Sequence, residues 1–90
     1  MPENARISYN LAIAFQTLSK PIQAEEAYNK AIELAPENSD YRYGICTLYL
    51  QEQQYAKAEK HAKKLAELQP NNPQVQSLLK MMENNMRSGK

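Results

Sequence analysis

The chain is poor in the residues from which chemistry is commonly built. It has one cysteine, one histidine, two glycines and no tryptophan in 90 residues. One cysteine cannot close an internal disulfide, and beside one histidine it offers no ligand set at metal-site spacing. The glycines, Gly44 and Gly89, stand too far apart to form a phosphate-cradling loop. No apolar run approaches the ~20 residues that a membrane-spanning helix requires. The head Met-Pro-Glu-Asn lacks the basic and apolar regions of a secretory signal, which leaves the compartment open with the cytoplasm favoured. Charge of one sign is missing too. Eleven basic against ten acidic residues give a formal net charge of +1, with no long-range pull toward nucleic acid or anionic lipid.

What is present suits one small globular domain: 42% hydrophobic and 23% charged residues. A chain of this size buries only ~60–65% of its unfolded surface, so its core is modest. The order in that composition is a repeat. Pro36 and Pro70 stand 34 residues apart, and each closes a similar stretch, Ala-Ile-Glu-Leu-Ala-Pro-Glu-Asn and Leu-Ala-Glu-Leu-Gln-Pro-Asn-Asn. The same offset lays Leu11 on Ile45, Ala12 on Cys46, Phe15 on Tyr49, Ala24 on Ala58 and Leu34 on Leu68. A fixed period of this length marks stacked repeats.

These residues resemble the tetratricopeptide repeat, a helix–turn–helix unit of ~34 residues. Taking 5–38 and 39–72 as two units, the family's large–small pair is Leu11-Ala12 and then Ile45-Cys46. Its aromatic is Phe15 and then Tyr49, its small residue in the second helix Ala24 and then Ala58, and its closing proline Pro36 and then Pro70. The pattern is broken where Ser8 and Arg42 replace a preferred tryptophan, Pro21 an aromatic, and Leu65 an alanine. The resemblance implies an all-α fold: helix–turn–helix repeats stacked as a short right-handed solenoid, with a capping helix over 73–87.

The periodicity gives the helices in turn. Ile7, Leu11, Ala14, Phe15 and Leu18 recur at three or four, which predicts a first helix over 5–18 with Asn4 as N-cap and that stripe as its core face. Ala24, Ala27, Tyr28, Ala31 and Ile32 predict a second over 22–35, where small residues let helices approach closely. Tyr41, Ile45, Leu48 and Tyr49 predict a third over 39–51. Gly44 lies inside it at a cost of roughly 1 kcal/mol against alanine, either to admit a neighbouring helix or a ligand or because the position tolerates it. Ala58, Ala62, Leu65, Ala66 and Leu68 mark a fourth helix from Tyr55 or Ala56 to Gln69. Asn72-Pro73 opens a fifth with the stripe Val75, Leu78, Leu79, Met82 and Met86. Lys80 falls where Ala12 and Cys46 stood, so the fifth helix caps the stack rather than starting a third unit. Residues 84–90 are expected to fray. The first helix has no matching cap, and its outer face is expected to be bare.

Single groups offer little chemistry. His61 sits among Lys57, Lys60, Lys63 and Lys64 without a carboxylate, cysteine or second histidine nearby, and reads as a solvated surface residue. Cys46 takes a position that demands a small side chain, so it reads as packing. The lysines share their helix with Glu59 and Glu67 and have no aromatic for base stacking, which argues for a solvated face. Met81, Met82 and Met86 read first as core filler. No catalytic residue, cofactor or metal site is expected.

In the family the first helix of each repeat lines a concave groove in which peptides bind. By position that groove takes Arg6, Tyr9, Ile13 and Gln16 from the first helix. Tyr43, Thr47 and Leu50, beside Asp40, come from the third, and Met81, beside Gln74 and Ser77, from the fifth. Aromatic and aliphatic residues off the core stripe suit a surface that awaits a partner. Members that clamp a C-terminal carboxylate use lysine, asparagine and arginine on these helices. Tyr9, Ile13 and Gly44 occupy those places, and Arg6 with Asn10 does not rebuild the clamp. The expectation is a non-enzymatic module within a longer repeat protein, binding a protein or peptide and neither nucleic acid nor membrane. Its alternatives are a structural unit that self-associates through the bare first helix, and the repeat segment of a larger protein such as a prokaryotic enzyme or cytochrome.

Overall fold

Five helices are formed by residues 2–88, which the computed structural model describes: α1 (Pro2–Thr17), α2 (Pro21–Leu34), α3 (Ser39–Gln51), α4 (Tyr55–Leu68) and α5 (Pro73–Ser88). No strand occurs among the described residues. Helices α1 and α2 pack as one hairpin, α3 and α4 as the next; α2 lies on α3, and α5 closes against α4. The last helix runs through Ser88; Gly89, Lys90 and the side chain of Met86, which entered the fraying tail and the apolar stripe, lie outside the described residues.

The boundaries follow from backbone needs repeated at the same offset. In the first hairpin turn Ser19 adopts φ 60°, and in the second Gln53 adopts φ 59°. The amide of Lys20 donates to the Phe15 carbonyl at 2.8 Å and that of Ser19 to Gln16 at 3.1 Å. Gln54 to Tyr49 and Gln53 to Leu50 repeat the pair at 2.8 and 3.1 Å. These are the two bonds that satisfy the last carbonyls of a helix when one residue turns left-handed, a task usually given to glycine. Between the units, Asn38 Oδ1 accepts the Asp40 amide at 2.9 Å and Asn72 Oδ1 the Gln74 amide at 2.8 Å, capping α3 and α5. Asn4 differs from its expected role. The helix already starts at Pro2, whose missing amide suits a first turn, so Asn4 lies inside α1.

The repeat also explains Arg42. Its Nε and Nη2 donate to the Pro36 carbonyl at 3.2 and 3.1 Å, and Gln76 Nε2 does the same to Pro70 at 3.0 Å. The position thus ties each closing proline to the helix that follows.

The core runs through Ala12, Ala24, Tyr28, Ile45, Cys46, Ala58, Ala62, Leu65, Val75, Leu78 and Met82. Its α1 share differs from the expected stripe. Leu11 is 50% exposed and Ile7 54%, while their counterparts Ile45 and Tyr41 are 0% and 7% exposed. The expected stripe straddled two faces of α1. Ala5 and Ala12, with Tyr9 and Phe15 partly buried, belong to the core, whereas Ile7, Leu11, Ala14 and Leu18 form the expected bare face. Gly44 has a definite cause. A Cβ there would stand 2.5 Å from Cε1 of Tyr28 and 3.2 Å from Cε1 of Tyr9, so glycine admits the ring of α2.

Candidate functional site

Helices α1, α3 and the start of α5 share one face, and aromatic packing fixes its floor. Tyr9 on α1 lies with its ring 4.8 Å from that of Tyr41 and 6.1 Å from that of Tyr28. Burial raises the pKa of its hydroxyl, and the Asp40 carboxylate adds to the effect, so Tyr9 remains a neutral hydrogen-bonding group. Tyr9, Asp40, Tyr43 and Gln74 line one cavity of about 170 Å³, closed below by Leu65 and rimmed by Ser39, Gln69 and Asn72. With ~30 Å³ per water, this is room for one side chain rather than a length of peptide. Asp40 is the only charged group in its lining, and among the described residues its carboxylate enters no ion pair.

Gln16 and Thr47 meet farther along the same face. The Tyr28 hydroxyl donates to Gln16 Oε1 at 2.5 Å, and Gln16 Nε2 donates to Gln51 Oε1 at 2.9 Å and to Thr47 Oγ1 at 3.4 Å. Thr47 Oγ1 in turn donates to the Gly44 carbonyl at 2.6 Å. The chain of bonds joins α2, α1 and α3, so Gln16 serves as a strut within the fold. Burial pushes the Tyr28 hydroxyl up to about 12. Arg6, Ile13 and Met81 are exposed on the same helices outside the cavity, and Leu50 is half-buried against the core. Sequence reasoning missed Tyr28 and Gln51 as parts of the strut and Gln69 and Asn72 as parts of the rim. Tyr28 sat in the core stripe of the second helix and Gln51 at the end of the third; the second pair were assigned to a helix end and a cap.

The opposite side carries the lysines. Lys57 stands 3.7 Å from Glu25 and 5.7 Å from the centre of the Tyr49 ring, Lys63 is 3.9 Å from Glu59, and Lys64 is 3.6 Å from Glu67. The wide opening there, about 630 Å³, is lined by Lys57, Lys60, Lys63, Glu59, His61 and Tyr49, and Glu25 and Glu59 stand beside two of its three lysines. His61 is not the solvated residue expected. It is half-buried, stacked on Tyr49 at 6.0 Å, with Nδ1 3.2 Å from Arg42 Nη1. Burial first, then Arg42 and Lys60, lower its pKa, because each disfavours the imidazolium. Cys46 is buried with Sγ 3.5 Å from the Ala58 carbonyl, and burial pushes its thiol up to about 12, which leaves it without thiolate character. Among the described residues no three ligands gather for a metal ion, and no helix is long and apolar enough to cross a membrane.

The sequence model of the tetratricopeptide repeat family matches residues 17–82. Of the solved structures, 27 chains match. One of them, the first TPR of Spaghetti (RPAP3) bound to the HSP90 peptide SRMEEVD, superposes with a TM-score of 0.85 at 25% identity, over 97% of this chain and 71% of its own. No curated protein matches the chain.

Proposed function

The chain belongs to the tetratricopeptide repeat family, and on that footing we propose that it is a non-enzymatic module binding a peptide or helix along the face of α1, α3 and α5. The division that goes with this reading is two units, 5–38 and 39–72, with a cap over 73–87. The observation that carries it is the convergence of Tyr9, Asp40, Tyr43 and Gln74, from three helices, on one cavity sized for a side chain. Tyrosine supplies a rigid ring with a polar tip, which suits contact with a peptide at small entropic cost. Ile13 and Met81, 40% and 49% exposed, add apolar surface to the same helices.

The solved neighbour holds an acidic HSP90 peptide. A ligand of that charge does not suit the cavity here, whose lining has one carboxylate and no lysine. Peptides with neutral or basic side chains at the anchoring position fit it better. The supporting experiment selects peptides on the immobilised chain from a displayed library and measures the best of them against variants. Tyr43→Ala should keep the helical spectrum and weaken binding at least ~10-fold, the loss typical of an aromatic anchor. An unfolded Tyr43→Ala, or binding that survives it and disappears in the Lys57/Lys60/Lys64 triple alanine, would sink the groove.

A further inference from the structure

The bare face of α1 has an internal template. Moving 34 residues along the chain carries Ile7, Leu11 and Ala14 onto Tyr41, Ile45 and Leu48 of α3, all buried, and α3 is the helix on which α2 lies. Moving on again reaches Val75 and Leu79 on α5, where α4 is the cover. The stripe on α1 is continued by Leu18, 64% exposed, and α1 carries only Glu3 and Arg6 as charged residues, whereas α4 has six. We propose that this face is a docking surface for one more amphipathic helix of the α2 and α4 kind, seated as α2 sits on α3.

The template also states which helix fits. At the α2–α3 contact the ring of Tyr28 fills the space left by Gly44. The same two places at the α4–α5 contact hold Ala62 and Leu78, both buried. Large against none becomes small against large, so the pair conserves volume, as a close-packed interface demands. On α1 that place is Asn10. Asparagine has a Cβ and a branched amide, so the incoming helix must present alanine or a similarly small residue opposite it, as α4 does and α2 does not.

The test fuses a copy of residues 55–72 directly ahead of Ala5, which keeps the repeat register, and compares it with the same fusion carrying prolines in place of the copied Ala58 and Ala62. The intact copy should raise Tm over the proline control by roughly 5–10 °C, the shift that burial of one or two aliphatic side chains gives in a domain of this size. Leu11→Asp should remove that gain. A copy of residues 21–38 should gain less, because its tyrosine meets Asn10, and Asn10→Gly should restore the gain. Equal gains from both copies would overturn the size rule. No gain from either, or a gain that Leu11→Asp leaves in place, would overturn the docking surface. So would a dimer of the unfused chain that Leu11→Asp dissolves, since a second copy would then be the occupant.

Discussion

Replacing Gly44 by alanine sets two known effects against each other. Alanine in a helix interior is favoured over glycine by ~1 kcal/mol. The new Cβ would stand 2.5 Å from Cε1 of Tyr28, however, well inside contact distance. The ring cannot step aside cheaply. It is 1% exposed, its hydroxyl is bonded to Gln16, and Gln16 is held in turn by Gln51. Forcing such a contact in a packed core costs ~1–3 kcal/mol, so the net effect is a destabilisation of about 1 kcal/mol. In a domain of this size that lowers Tm by ~4–8 °C, readable by thermal unfolding followed in the far ultraviolet. The coupling can be isolated. With Tyr28→Leu in the background the nearest ring atom is gone and only the Tyr9 ring, 3.2 Å from the new Cβ, has to give by a few tenths of an ångström, so the cost of Gly44→Ala should shrink toward zero. A Gly44→Ala variant as stable as the parent would refute the reasoning, since the ring would then have room to move.

Three other outcomes follow from the same structure. Ile45→Ala should cost ~2–5 kcal/mol through a core cavity, whereas Leu11→Ala, at the same register, should cost less than ~1 kcal/mol in denaturant titration because its side chain is half in water. Gln53→Gly should stabilise by ~0.5–1 kcal/mol by relieving a left-handed residue in the second turn, with Ser19→Gly doing the same in the first. His61 makes stability depend on pH. Its folded pKa lies below the ordinary 6.5, so between the two values the unfolded chain binds more protons, and stability present above 6.5 is lost as pH falls through the folded value. The parent should therefore lose more stability than His61→Gln on going from about pH 7.5 to about pH 5.5, and equal losses would contradict the burial of the ring.

The helices were legible because apolar spacing, two prolines and two asparagine caps all repeat at one period, and each is a local signal. Gly44 was visible as an anomaly, but its cause was not, because Tyr28 reaches it from another helix. The left-handed turns at Ser19 and Gln53 left no glycine to betray them. The error at Leu11 has a physical origin. Periodicity reports that a helix is apolar on a side, and only the neighbours decide whether that side is covered; Ile45 lies on α3, packed between α2 and α4, whereas Leu11 is left 50% exposed. The groove was read by position, and the structure gathers Tyr9 and Tyr43 at one cavity while it commits Gln16 and Thr47 to internal hydrogen bonds. That commitment depended on Tyr28 and Gln51, whose side chains point to the strut only once the hairpin is folded.

The most direct measurement is an NMR titration of the isotopically labelled chain with the peptide selected on it. The account predicts that the perturbed signals cluster at Tyr9, Asp40, Tyr43 and Gln74 on α1, α3 and α5 and fade in Tyr43→Ala. Perturbations confined to α2 and α4, around Lys57, Lys60 and His61, would contradict it and move the binding surface to the other side of the molecule.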